Sequence, residues 1–513
     1  MKTDTAKREI SQDTYLKTDC FLGKKQTNNL NGTKMQERLQ SQIGQLTGVY
    51  TETIDLDLDF MELAGRFAHL AGTVVLLSGG DLDCARYHIM GALPWLTIST
   101  DTQQVRVTVD QQNHTFENDP FELLRSVMDQ LALPQGEWPD PLVAGLLGYL
   151  SYDLKDCLEQ LPRTTVDDLQ LPHMLLYAHA LLVVYDKEEK TTRLMVPHRD
   201  GLPAGVDFKV EHFVAQFYAL AGIKRSDSLT FSANFNDLKS NFSQTAYEKS
   251  VQHVIDYIAA GDVYQVNIAQ RFQVPFSGDS YTLFCHLFDK NPAPFFAYVQ
   301  AGEHQIISTS PERFVLRSGN RIEARPIKGT CPRGKNEEED QTLRQALAAS
   351  SKDESELSMI VDLLRNDIGK VCAPFSVHVT EHKRIEAYQN VYHLVSIIEG
   401  ELEQGNHTVD LIQATFPGGS ITGCPKVRAM EIIDELESCR RHIYCGSIGY
   451  LSFHNTMDLS IAIRTATVAR DTLSFSVGGG IVFDSIPSLE YEETLHKGKT
   501  LMDACGGDFD RKG

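Results

Sequence analysis

The sequence predicts an α+β protein built on antiparallel sheets packed with helices, and three observations carry that expectation. The chain has 513 residues, 42% of them hydrophobic and 23% charged, enough to bury a large core as one very large unit or two to three domains. Apolar runs of strand length, VVLLS, QVRVTV, LLVVYD and TRLMV, often follow one another without a helix between, which favours antiparallel pairing over a doubly wound sheet. Helical periodicity is present beside them, in FMELAGRFAHLA and in a segment where Val251, Val254, Ile255 and Ile258 share a face.

Residues 1–46 are rich in Lys, Gln, Asn, Thr and Ser and have too few apolar positions to fill a helix or strand face, so they are expected to form a loosely ordered extension. A stretch rich in turn residues around one short helix, 201–242, divides an N-terminal region (47–235) from a C-terminal region (236–513). Thr245 and Glu248 have capping-box spacing at the start of the next helix, and Gly261 stands just past its end.

The charge balance is 48 Lys and Arg against 69 Asp and Glu, a net −21 spread along the chain. That argues against nucleic acid and anionic membranes as partners. No run reaches the roughly 18–20 apolar residues needed to cross a bilayer, and the opening segment lacks a signal peptide's apolar stretch, so a cytoplasmic protein with no membrane association is expected. Ten cysteines without a C-x-x-C pair read as reduced thiols. A chain this acidic needs a bound cation or a local basic pocket to hold a small anion.

Residues that could carry chemistry crowd between 308 and 500. Glu312, in SPERF, and Lys328, in ARPIKGT, lie on neighbouring extended segments that could form a hairpin. They could share a cleft that perturbs both pKa values, or form an ordinary surface ion pair. Glu356 and Glu493 lie on two helices, the second with Glu490 and Lys497 on the same face. Mg²⁺ favours a site of one or two carboxylates, waters and an anionic substrate, while a solvated helix face is the alternative. Glycines 418, 419 and 423 precede a helix, and glycines 478 to 480 read as a turn between strands. Both could present backbone N–H groups to an anion, or be tight turns only. His393 and Arg464 fall in apolar strand-like runs, where the arginine needs a buried anionic partner from a ligand or from the protein. Gly498-Lys499-Thr500 resembles the end of a P-loop, but Glu493 stands where its first glycine belongs.

Taken together and in order, GDVYQVNIAQRF, SPERF, RPIKGT, ELSMIVDLLRNDIGKV, VYHLVS, FPGGSITGCPKVRAMEIIDELE, CGSIGYLS, AIRT, GGGIV and EYEETLHK resemble the chorismate-utilising enzymes. The resemblance runs from about residue 50 to 505 and is strongest from 245 onward. It implies a layered sandwich of large antiparallel sheets and helices shared by both regions. It also implies Glu312 as general acid and then base, Lys328 as covalent nucleophile and His393 as an active-site residue. Glu356 and Glu493 become Mg²⁺ ligands. Gly329, Thr330, Tyr450, Arg464, Gly479, Gly480 and Lys497 become residues that position the substrate carboxylates.

Within the family, the isochorismate and salicylate synthases resemble one another in carrying a lysine, the base for water, where this chain has Gln265. Anthranilate synthases usually read PIAGT, whereas PIKGT looks like the aminodeoxychorismate branch. The resemblance therefore implies conversion of chorismate and ammonia to 4-amino-4-deoxychorismate in folate biosynthesis, with anthranilate formation as the alternative. No amidotransferase segment is evident, so a separate glutamine amidotransferase is the expected ammonia source. Cys424 stands where alanine is common, and HKGKT departs from the usual ending. Related chains hold tryptophan in a pocket matched here by Ser78, Arg86, Tyr87, Pro294 and Phe295, and Phe296 replaces a smaller residue there in some relatives and would fill it from within.

Overall fold

A computed structural model describes residues 39–506, except 102–103, 118, 135 and 227. Most of the predicted N-terminal extension and Cys20 therefore lie outside the described residues. The last part of that extension differs from expectation. Leu39 and Ile43 are 2% and 0% exposed in the core, and the first strand, Gln45–Ile54, begins at once. Two apolar side chains spaced one helical turn apart are enough to dock this short segment.

Twenty-three strands among the described residues join in one hydrogen-bonded network, and every strand-to-strand pairing is antiparallel. The central strand Met174–Asp186 pairs with Tyr87–Thr100 on one side and with Gly145–Leu150 and Thr191–Asp200 along the other. From it the network diverges into two sheets. One runs through Tyr87–Thr100, Val74–Leu77, Phe295–Gln300, His304–Ser310, Thr465–Ala469 and Thr472–Ile481 to Gln265–Gly278. The other runs through Gly145–Leu150, Ser447–Ser452, Thr456–Ile461, Arg313–Ser318 and Arg321–Arg325 to Val391–Glu401. Both sheets mix strands from the N- and C-terminal regions, so neither region has a sheet of its own.

Strand alternation divides the core. In Phe295–Gln300, Ala297 and Val299 join the cluster with Ile306, Phe314 and Ile322, while Phe296 and Tyr298 join the one under the helices Val210–Ala221 and Ser280–Lys290. FMELAGRFAHLA forms a helix only over Phe60–Gly65, capped by Asp59, and continues as turns. The predicted capping box at Thr245 is replaced by a cap two residues earlier: Ser243 accepts from Ala246 N and the helix spans Gln244–Ala260. Gly261 adopts φ 87° at its end, as the pattern predicts. Glycines 478–480 are not a turn. They lie inside the strand Thr472–Ile481. Cys84 and the eight later cysteines are free thiols. No helix of the described residues is long and apolar enough to cross a membrane.

The two regions meet in the pairing of Gly145–Leu150 with Ser447–Ser452, where Gly148 lies opposite Gly449. Their φ angles are 151° and 158°, and a Cβ on Gly148 would lie 2.1 Å from the Leu175 carbonyl oxygen. Backbone strain and this contact act together, so Gly148→Ala is expected to lower unfolding free energy by about 3 kcal/mol, read by chemical denaturation. A change below about 0.5 kcal/mol would show that the strand shifts without cost.

Candidate active site

The chain passes between the two sheets at two adjacent places. Pro311–Glu312 links His304–Ser310 in the first sheet to Arg313–Ser318 in the second, and Ala462–Arg464 returns from Thr456–Ile461 to Thr465–Ala469. The crossings are tied together: Ile461 N donates to Glu312 O at 3.0 Å, Thr309 N donates to Arg464 O at 3.1 Å, and Ser310 Oγ donates to Ile461 O at 2.6 Å. Arg464 is thus in a left-handed link with φ 51°, not inside a strand as the apolar run suggests.

Glu312 is 4% exposed and accepts from Ser420 Oγ at 2.8 Å. Burial pushes its carboxyl up to about 7, against the opposing pull of Ser420, Lys328 and Arg464. The strand Ile327–Pro332 brings Lys328 to the same cleft, but it pairs with Val391–Glu401 and forms no hairpin with the Glu312 segment. Among the described residues Lys328 has no ion pair. Burial lowers its ammonium pKa, with Lys497 adding repulsion and Glu356, Glu312 and Glu493 pulling the other way. Next to it, Gly329 at φ 72° leaves no room for a Cβ beside Asp353.

His393 is 1% exposed and shares a 2.9 Å hydrogen bond between Nδ1 and Thr330 Oγ1. Its Nε2 is buried without a partner. Burial, helped by the Arg464 charge, brings its pKa down to about 3, so the ring is neutral. The Arg464 guanidinium has no carboxylate partner among the described residues. It remains available to an anion.

Helix Ser351–Gly369 packs on Ile327–Pro332 and Val391–Glu401 and carries Glu356, while helix Pro487–Ala504 packs on Thr472–Ile481 and carries Glu490, Glu493 and Lys497. Burial raises Glu356, and the neighbouring Asp353 and Glu493 charges add to the rise. Its nearest cation is Lys352, 3.9 Å away. Burial also acts on Glu493, but Lys497 at 2.7 Å outweighs it and holds the carboxylate below its usual range. No group of three or more His, Cys, Asp or Glu side chains is gathered for a metal among the described residues. Two facing carboxylates, one of them poorly compensated, fit Mg²⁺, which keeps waters and takes further oxygens from an anionic substrate.

Gly479 and Gly480 form one wall. A Cβ on Gly479 would meet Glu490 Oε2 at 3.2 Å and Glu493 Oε1 at 3.5 Å; one on Gly480 would meet Gln265 Nε2 at 2.6 Å and Lys328 Nζ at 3.5 Å. Gln265 is fully buried, and neither its amide nitrogen nor its oxygen has a partner. Sequence reasoning noted Gln265 only as the place of a missing lysine, and it passed over Ser420 inside the quoted FPGGSITG motif. Tyr388, also unmarked in sequence, donates from Oη to the Pro311 carbonyl at 3.1 Å.

Tyr450 is not part of this cleft. It lines a second cavity of about 620 Å³ between the sheets, with Ser78, Arg86, Tyr87, Pro294 and Phe295 in the same walls. The tyrosine's strand alternation directs it toward Asp458 and Tyr87, away from the Glu312 and Lys328 groups. Phe296 is also among the residues lining that cavity, and its ring packs against Phe288 at 5.0 Å and Phe284 at 6.0 Å. Arg86 is held at the rim by Asp186 at 2.6 Å.

Comparison with known proteins places this geometry. The chain is 40% identical over 439 residues to aminodeoxychorismate synthase component 1 of Escherichia coli, covering 85% of this chain and 94% of the relative. It is 37% identical over 385 residues to anthranilate synthase component 1 of Thermus thermophilus, covering 74% of this chain and 82% of the relative. The crystal structure of anthranilate synthase component I from Streptococcus pneumoniae superposes with a TM-score of 0.73 at 29% identity, over 83% of this chain and 93% of that one. The model of the chorismate binding enzymes matches residues 87–503, and the chain belongs to that family.

Proposed function

We propose that this chain forms 4-amino-4-deoxychorismate from chorismate and ammonia, drawing ammonia from a separate glutamine amidotransferase, in the route to 4-aminobenzoate and folate. The observation that carries the reading is Lys328: an amine with a lowered pKa and no ion pair, in one cleft with a carboxyl that burial keeps protonated near neutrality. The similarity to aminodeoxychorismate synthase component 1 over most of both chains supports it.

Neutral Lys328 attacks C2 of the ring while Glu312 gives its proton to the C4 hydroxyl, which leaves as water as the ring double bond shifts. Ammonia then attacks C4, the C2–N bond breaks with its electron pair returning to Lys328, and the new amine sheds a proton to the Glu312 carboxylate. His393 is a neutral hydrogen-bonding group whose free Nε2 faces the substrate. Arg464 and Lys497 take the carboxylates, with Gly329, Thr330, Gly479 and Gly480 providing backbone and space. Gln265, unable to activate water as a lysine would, offers its amide to the incoming nitrogen. Glu356 and Glu493 would hold Mg²⁺, which would supply positive charge for a ring carboxylate of the substrate. The second cavity is read as an amino-acid pocket of the tryptophan type.

The alternative, anthranilate formation, is separated by product. Chorismate, ammonium and Mg²⁺ are expected to consume chorismate with little pyruvate, and Lys328→Ala to slow that loss by about 10²-fold or more. Stoichiometric pyruvate with anthranilate fluorescence would favour the alternative. Because Glu312 must carry a proton in the first displacement, that step is expected to slow as pH rises through about 7, measured at fixed free ammonia. Glu312→Gln is expected to cost about 10²–10⁴-fold at every pH. Glu493→Gln is expected to raise the Mg²⁺ concentration for half-maximal rate at least about tenfold, and full activity at micromolar Mg²⁺ would remove Glu493 from the ligand set.

A further inference from the structure

We propose that Tyr388 is a positioning residue for the proton-transfer machinery, its hydroxyl bracing the Glu312 crossing and its ring fixing His393. The inference rests on the reading of Glu312 as the acid. Tyr388 follows the strand His378–Ala387, and its N–H closes the turn onto Val391 O at 2.9 Å, two residues before His393. Its ring meets the His393 imidazole edge-on, centroids 4.8 Å apart at 83°. The Oη donates to the carbonyl of Pro311, the residue before Glu312. One side chain therefore touches both the peptide group leading into Glu312 and the imidazole of His393.

Tyr388 is itself held. It is 8% exposed, and Arg333 Nη1 donates to its carbonyl at 3.2 Å. Glu386 Oε2 lies 3.5 Å from the Oη as a longer second acceptor, and Arg384 pairs with that Glu386 at 2.8 Å. Around the Glu312 carboxyl the other facing groups are Ser420, Lys328 and Arg464. Ser420 fixes the carboxyl from one side, and among the described residues Tyr388 is the side chain that hydrogen-bonds the Pro311 carbonyl. A loosened crossing would admit water, relieve the burial that keeps Glu312 protonated and shift its proton affinity toward that of an ordinary glutamate.

Tyr388→Phe keeps the ring and removes the hydroxyl. It is expected to lower kcat about tenfold, the factor that one lost buried hydrogen bond corresponds to, with KM for chorismate within about twofold. The fall of kcat on the basic side, at fixed free ammonia, is expected to move to lower pH. Tyr388→Leu, which also removes the ring against His393, is expected to lower kcat further. A kcat or pH profile like the parent's in Tyr388→Phe overturns the proposal. So does a loss that falls on KM alone, or a variant that fails to fold, since either assigns the hydroxyl to binding or to stability. If Glu312→Gln keeps full activity, the reading of the acid fails first; if Glu312→Gln is inactive and Tyr388→Phe behaves as the parent, only the role of Tyr388 is lost.

Discussion

The site depends on the chain crossing twice between two sheets at one place. Sheets that diverge from a shared strand leave space between them, and that space is filled by apolar side chains except where the backbone itself must pass through. At Pro311–Glu312 and Ala462–Arg464 the ladder hydrogen bonds are interrupted, and the exposed peptide groups satisfy one another, Ile461 N to Glu312 O and Thr309 N to Arg464 O. The crossings thus carry one acid and one arginine into a region from which water is largely excluded. Neither residue could be buried in the middle of a regular strand without a partner already in the protein.

Burial then sets the charge states. The same desolvation pushes the Glu312 carboxyl up and the Lys328 and His393 groups down, in each case toward the neutral form. Groups moved toward neutrality in this way exchange protons at less cost than fully charged ones. At the edge, where helix Pro487–Ala504 meets solvent, Glu493 and Lys497 remain charged as an ion pair. The net −21 of the chain does not oppose a dianion here, because Arg464 and Lys497 are gathered in the cleft and a metal held by Glu356 and Glu493 would cancel the nearest negative charge.

Much of this was legible in the sequence because it is carried by local pattern. Alternating and apolar runs marked the strands, and the two carboxylate-bearing helices followed from their periodicity. What was not legible depends on partners distant in the chain. Whether Arg464 lies inside a strand or at a crossing is decided by which strands pair, and Gly478–Gly480 read as a turn although they extend a strand against Ala269–Asn267. The orientation of Tyr450 required the register of Ser447–Ser452, since one residue of shift would reverse its face. Tyr388 carries no motif at all; its meaning comes from a hydroxyl that reaches a carbonyl 77 positions earlier.

The neutrality of His393 constrains the order of proton movements. A ring that takes up a proton only near pH 3 cannot deliver one to a departing hydroxyl at neutral pH. Its Nδ1 is committed to Thr330, leaving Nε2 to donate or accept without changing charge. In the proposed reaction the proton that leaves with the C4 oxygen comes from Glu312, which combines a pKa near neutrality with a position on the crossing. In that scheme, once the proton is gone, the carboxylate would be buried beside Lys328, cationic through its bond to C2. The pair so formed is stabilised by its own attraction in a low-dielectric cleft, and it decays only when an incoming amine returns a proton to the carboxylate while the ring releases the lysine. Proton return and lysine release are thereby coupled, which makes a single carboxyl sufficient for both displacements.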